Sequence, residues 1–255
     1  MITLRTATKI LSVVALATSV LVPKSAPVVR TGLDAAYAKE IHKQLDYFAA
    51  WDPTNKFSLG DFGQMEGKVF KRLGNVKKFG IQFTTEKFAS GPITYTSSGN
   101  TNVNVDVGAK DKNGKNQVDV KVTFSKTKSI LLQVEGVTTE RIKNIGKFGD
   151  ALVDLYKAKG KDWKLSYVVI TEVKRSKGGC VLISKEADSK VTLSGKAEIK
   201  KSGAKLADVD LRDFSVGVTK GKVYGQPWNS ECTPLFQLHE VKDPITKKAY
   251  FTEYK

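Results

Sequence analysis

Cysteine and histidine are nearly absent from this 255-residue sequence, with two of each. Cys180 and Cys232 allow one disulfide in an oxidising compartment or two buried thiols elsewhere, and the sequence leaves both open. His42 and His239 are far apart and lack the close Cys or carboxylate spacing of a structural zinc site, so no metal or other cofactor is expected. Acidic residues are also in short supply: 26 Asp+Glu face 42 Lys+Arg, a net charge of +16. Such an excess favours anionic partners. The lysines are scattered, with pairs such as Lys77-Lys78 and Lys247-Lys248 near apparent turns or strand ends, and no dense basic tail is present. Aromatic residues are not interleaved with basic ones as a base-stacking platform requires, and no nucleic-acid-reading motif occurs, which argues against nucleic acid as the partner.

Catalytic motifs are missing too. No Gly-rich phosphate loop, nucleophile elbow, zinc-protease helix or close carboxylate pair can be quoted, and a non-enzymatic protein is expected. Asp61-Phe62-Gly63 spells the magnesium-binding tripeptide of protein kinases without the other loops that chemistry needs. Asp208 and Asp210, with Asp213 nearby, share one face of an alternating run, where solvation is a simpler reading than a cation site. His239 beside Glu240 in a strand-like run reads as structural.

The one long apolar run, Ile10 through Val22, is shorter than the roughly 20 residues of a spanning helix. It lies in an acid-free stretch with Arg5 and Lys9 ahead of it, the form of an export signal. Residues 1–32 are therefore expected to be an export signal or leader, and 33–255 a single α+β domain. The protein is then secreted or periplasmic if the leader is cleaved. A retained amphipathic helix, a mitochondrial targeting segment and a cytoplasmic protein that moves to a membrane stay open.

Hydrophobic spacing predicts a helix over 33–50 with Asp34 as N-cap, ended by Trp51-Asp52-Pro53. Phe57 to Phe70 reads as short strands around tight glycine turns. The clearest element is a hairpin over 101–124: Val103, Val105 and Val107 alternate with polar residues, Asp111-Lys112-Asn113-Gly114 turns the chain, and Val118, Val120, Val122 and Phe124 resume the alternation. Ser129 to Val134 is a short strand, and a helix is expected over 138–159, capped by Thr138 or Thr139 and stopped by Gly160. Leu165 to Val173 follows as a buried strand, turned at Gly178-Gly179 into Cys180 to Ile183. A second alternating hairpin is predicted from Val191, Leu193, Ala197 and Ile199, returning through Ala207, Val209 and Leu211, with a phase slip at Asp213 before Phe214, Val216 and Val218. Ala249 to Tyr254 closes the chain as an aromatic strand. The fold class is α+β, a twisted antiparallel β-sheet with two long hairpins and packed helices.

Each hairpin strand has about 9–11 alternating residues, the length of a tilted strand that crosses a bilayer. A sheet with one face on the core has the same alternation. The order of first hairpin, Ser129–Val134 strand, helix, Trp163 leading into Tyr167–Val173, and second hairpin resembles the pore-forming domain of gasdermins and their bacterial relatives, over roughly Lys56 to Val218. The resemblance implies hairpins that lengthen and enter an anionic membrane in a homo-oligomeric ring. Val103, Val105, Val107, Val118, Val120, Val122, Phe124, Val191, Leu193, Ala197, Ile199, Val209 and Leu211 would then face lipid, and Lys71, Lys77 and Lys78 the headgroups. The alternative is a secreted or envelope-associated binding module that does not insert.

Overall fold

The structure, a computed structural model, describes residues 32–158, 162–199, 203–211, 214–217, 222–245 and 248–255. The leader, apart from Gly32, and the helix stop expected at Gly160 lie outside the described residues. Helix α1 (Leu33–Leu45) starts behind Gly32, whose φ of 73° sets the entry. Asp34 is not its cap; its carboxylate accepts the Ala35 N–H at 2.8 Å. The helix stops short of Ala50 because Asp46 takes a left-handed conformation, φ 57°, and sends the apolar pair Phe48–Ala49 into a sheet as β1. Asp is among the few residues that tolerate this conformation.

The glycine-rich stretch that follows is a hairpin, β2 (Asp61–Glu66) and β3 (Val69–Asn75), turning at Gly67 with φ 63°. Asp61 is a buried structural carboxylate, accepting the Ser58 N–H and the Asn75 side-chain amide at 2.9 Å each and pairing with Arg72. Next come β4 (Thr85–Ala89), β5 (Ile93–Thr96), β6 (Thr101–Lys110), β7 (Asn116–Phe124), β8 (Ile130–Glu135), β9 (Thr138–Ile142) and α2 (Ile145–Lys157). The chain continues through β10 (Val168–Ser176), β11 (Gly178–Ser184), β12 (Ser189–Ala197), β13 (Ser215–Gly217), β14 (Val223–Trp228), β15 (Cys232–Lys242) and β16 (Tyr250–Glu253).

The strands form three antiparallel sheets that share chains. The base sheet runs β1-β15-β10-β2-β3, with β9 beside β10, β4 beside β9 and β16 beside β15. The middle sheet is β14-β11-β8-β5 and the end sheet β13-β12-β7-β6. Because β5 leads into β6, β7 into β8, β11 into β12 and β13 into β14, the end sheet continues the middle one in the same strand order. In the same way β8 runs on into β9, and β10 into β11, across the middle-to-base junction. A break in a ladder orphans backbone donors and acceptors, and short hydroxyl side chains are suited to satisfy them. At the outer junction Ser97 and Ser184 hydroxyls accept the Ile130 and Ser129 N–H groups, each at 2.9 Å. At the inner one the buried Ser176 hydroxyl lies 3.0 and 2.7 Å from the backbone oxygens of Glu135 and Gly178, which share its one proton, and accepts from Trp228 Nε1 at 3.2 Å.

Two sequence expectations fail at this inner junction. Thr138 to Ile142 is strand β9, not the first turns of a helix, which begins only after Asn144. The spacing of Ile142, Ile145 and Phe148 suits a helix, but β9 pairs on both edges, with β10 and β4, and Arg175 binds Glu140 at 2.7 Å. Long-range pairing overrides the local pattern. Gly178-Gly179 opens β11 rather than turning the chain, so β10 and β11 lie in different sheets.

Helix α1 covers one face of the middle sheet with Leu33, Tyr37 and Ile41 against Ile130, Leu132, Val134 and Val181. Helix α2 packs on the base sheet, Phe148 meeting Phe83 and Phe251 edge-on. Phe236 centres that core, with Phe48, Phe57 and Phe70 around its ring. Cys180 and Cys232 are both free and buried, and burial pushes each thiol up to about 12.

His239 stacks on Phe251 and lies 2.9 Å from the Thr171 hydroxyl, and burial lowers its pKa below the ordinary 6.5, with Glu253 opposing weakly. The unfolded chain thus takes up a proton near pH 6.5 that the folded chain refuses. Stability is full above that pH and falls as pH drops from 6.5 toward the depressed folded value. Melting temperature is expected to be lower at about pH 5.5 than at about pH 7.5, and His239→Gln to remove part of that difference. An unchanged difference would assign it elsewhere, first to His42, which burial and Lys68 also lower.

Candidate functional site

The end sheet has one apolar and one polar face. Register lines up Val103, Val122 and Val191 in one row and Val105, Val120, Leu193 and Val216 in the next, with Val107 beside Val118. Rows of this kind follow from the two-residue period of a strand. The opposite face carries Asn104, Lys121 and Thr192, and then Asp106, Asp119, Ser194 and Ser215. Asp106 and Asp119 stand directly opposite; Lys121, 2.5 Å from Asp106, relieves the repulsion and holds the Asp106 carboxyl below the usual range. Both hairpins belong to this one open sheet, joined along the whole of β7 and β12.

The second hairpin is not built as the alternation predicts. After Ala197, opposite Asn116 at the sheet's free end, the chain leaves the ladder and returns to it at Ser215, opposite Ser194. The described residues of the intervening chain, 198–199, 203–211 and 214, form a strap on the apolar face, with a short 3-10 turn at Leu206–Asp208. Val209 and Leu211, expected on a return strand, belong to this strap. With Leu206 and Phe214 they are buried against Val118, Val120, Val122, Phe124, Val191, Leu193 and Ala197, and Ile199 packs at the margin. Burying each such side chain contributes about 1.5–3 kcal/mol. Val103 and Val105 are half-buried, and Val107 is 41% exposed.

Among the described residues, the backbone hydrogen bonds of the strap stay inside it, as from Val209 N–H to the Leu206 carbonyl. One polar tie to the sheets is Gln133 on β8, fully buried, whose side-chain amide donates to the Leu206 carbonyl at 3.1 Å and the Val209 carbonyl at 2.8 Å. Gln133 and Leu206 carry no role in the reading of the sequence. A polar residue inside the apolar run Ile130-Leu131-Leu132-Gln133-Val134 was the available signal.

Of the expected headgroup lysines, Lys71 lies on β3 of the base sheet and Lys77 and Lys78 on the 3-10 turn Val76–Phe79 that follows it. Lys71 pairs with Glu66 at 2.8 Å, Lys77 lies over the Phe83 ring, and Lys78 lies over Phe62 and Phe79 at 4.6 and 4.7 Å from the ring centres. Exposed lysines beside the end sheet include Lys110, Lys112 and Lys115 at its tip and Lys126 and Lys128 at its root. Among the described residues no helix is long and apolar enough to cross a membrane, and no cluster of three metal-ligating side chains occurs.

No family model matches the chain, and no curated protein does. Among solved structures, a bacterial gasdermin from Bradyrhizobium tropiciagri matches over 84% of this chain and 88% of that one, at 12% identity and a TM-score of 0.34, a weak fold-level likeness that transfers no function.

Proposed function

We propose that this protein is a non-enzymatic, membrane-active pore former that inserts the hairpins of its end sheet into anionic membranes and assembles there as a homo-oligomer. The supporting observation is the end sheet itself. Strands β6, β7 and β12, of 10, 9 and 9 residues, have membrane-crossing length and carry one continuous apolar face and one polar face. The net charge of +16 suits attraction to acidic headgroups, an attraction that salt weakens. Export from the cell, with the 1–32 segment as leader, would bring it to a target membrane from outside.

The competing reading is a binding module that never inserts, and the strap favours it to this extent: the apolar face is already satisfied in the folded chain. Dye release separates the two. The full chain is expected to empty vesicles containing phosphatidylserine, more slowly at high salt, and to leave vesicles of phosphatidylcholine alone largely intact. Binding to the acidic vesicles without release, at any protein concentration, would favour the module.

A further inference from the structure

We propose that Asn113, at the tip of the first hairpin, is a self-modifying residue: it loses ammonia spontaneously, and the carboxylate left behind weakens the hold of the tip on acidic membranes. The membrane consequence rests on the pore-forming reading, and the modification itself stands without it. Asn113-Gly114 is the one Asn-Gly pair in the sequence. An asparagine side chain can react with the backbone nitrogen of the next residue, and a side chain on that residue obstructs the approach. Here the turn keeps the next residue a glycine, because its φ of 76° is a conformation that glycine takes without strain. Both residues are exposed, and a Cβ placed on Gly114 would meet nothing within 4 Å. Asp111 holds the Asn113 backbone N–H at 2.8 Å, and among the described residues the Asn113 side chain has no hydrogen-bond partner.

The step balances with water as the only co-reactant. The Gly114 nitrogen gives up its proton to solvent base and attacks Asn113 Cγ. The new C–N bond closes a succinimide ring as the Cγ–Nδ2 bond breaks, and the departing nitrogen takes a proton from water and leaves as ammonia. A second water opens the ring at either carbonyl, giving aspartate or isoaspartate, and nothing is oxidised or reduced. One interaction opposes it: the Gly114 N–H donates to the Asp111 carbonyl at 3.0 Å and must first come free. The net worth of one such exposed hydrogen bond slows the folded tip only about fivefold relative to the unfolded chain. The charge then changes where lysines gather. Lys110, Lys112 and Lys115 are exposed around the turn, and Asp111 is already matched by Lys196 at 3.0 Å. A new carboxylate therefore subtracts from the positive charge of the tip, and one charge at an acidic membrane surface corresponds to about fivefold in partition.

Incubation of the folded full chain at mildly alkaline pH, beside a denatured sample, tests the chemistry. Peptide mapping by mass spectrometry is expected to find –OH in place of –NH2 on Asn113, formed at about one fifth of the denatured rate and faster as pH rises. Asn144, also exposed but followed by the branched Ile145, is expected to stay intact, and Asn113→Gln to show no conversion at that position. A tip that converts only in the denatured sample, or in neither, would overturn the modification site. Asn113→Asp supplies the product charge at once, on an exposed turn that tolerates either side chain, and is expected to partition onto phosphatidylserine vesicles about fivefold less than Asn113→Gln. Equal partition of these two variants would overturn the membrane consequence and leave the modification site standing. No binding by either variant or by the unmodified chain would overturn the anionic-membrane reading, again without touching the chemistry at Asn113.

Discussion

Val107→Asp is expected to abolish dye release while leaving the soluble protein folded. Most apolar positions of the end sheet cannot separate these effects: Val120 is fully buried, and an aspartate there would strand a charge in the core and unfold the sheet. Val107 differs in being 41% exposed while sharing the apolar face of β6 with Val103 and Val105. In the soluble protein the substitution should change stability by no more than about 0.5 kcal/mol, the usual range for surface positions. In a bilayer the same carboxylate meets hydrocarbon, at a cost of about 1–2 kcal/mol per chain that recurs in every subunit of an assembly. Asn102→Asp adds the same charge to the exposed polar face of the same strand and should leave release unchanged. Equal activity of Val107→Asp and the unmodified protein, at matched melting temperatures, would remove β6 from any membrane-facing role.

Gly179→Ala is expected to lower stability by about 2–3 kcal/mol and, for a chain of this size, the melting temperature by about 5–10 °C. Gly179 lies at the start of β11, paired with Val134 on one side and Trp228 on the other. A methyl group here would lie 2.5 Å from the Trp228 ring and run into the Gln133 carbonyl oxygen. The ring has no easy retreat, because its Nε1 donates to the Ser176 hydroxyl that also ties Glu135 and Gly178 across the junction. Gly146→Ala serves as the control, since open space surrounds it in the first turn of α2 and alanine suits a helix. Thermal melts followed by circular dichroism compare the two, and a Gly179→Ala melt within a degree of the unmodified protein would show that the junction yields.

The glycines illustrate how far composition can be read. Gly114, after Asn113, takes φ 76° and turns the first hairpin where the sequence placed the turn. Gly178-Gly179 resembles the same punctuation, yet the pair is extended strand, and at Gly179 the absence of a side chain serves a tryptophan that lies forty-nine positions onward, Trp228. A local rule finds a turn when the reason is local. It has no access to a ring delivered by another strand.

Strand periodicity by itself determined the antiparallel, α+β character of this protein, the first hairpin and the apolar row of Val103, Val105, Val118, Val120 and Val122, because a two-residue alternation leaves only one way to segregate side chains. It also marked Val209 and Leu211 as apolar positions of an alternating run. What they are buried against was decided only by tertiary structure: the same alternation fits a strand in a hairpin or a strap over the sheet, since apolar burial has no direction. The choice rests on contacts distant in sequence, above all Gln133 meeting the carbonyls of Leu206 and Val209, and on the free end of the sheet where Ala197 leaves the ladder.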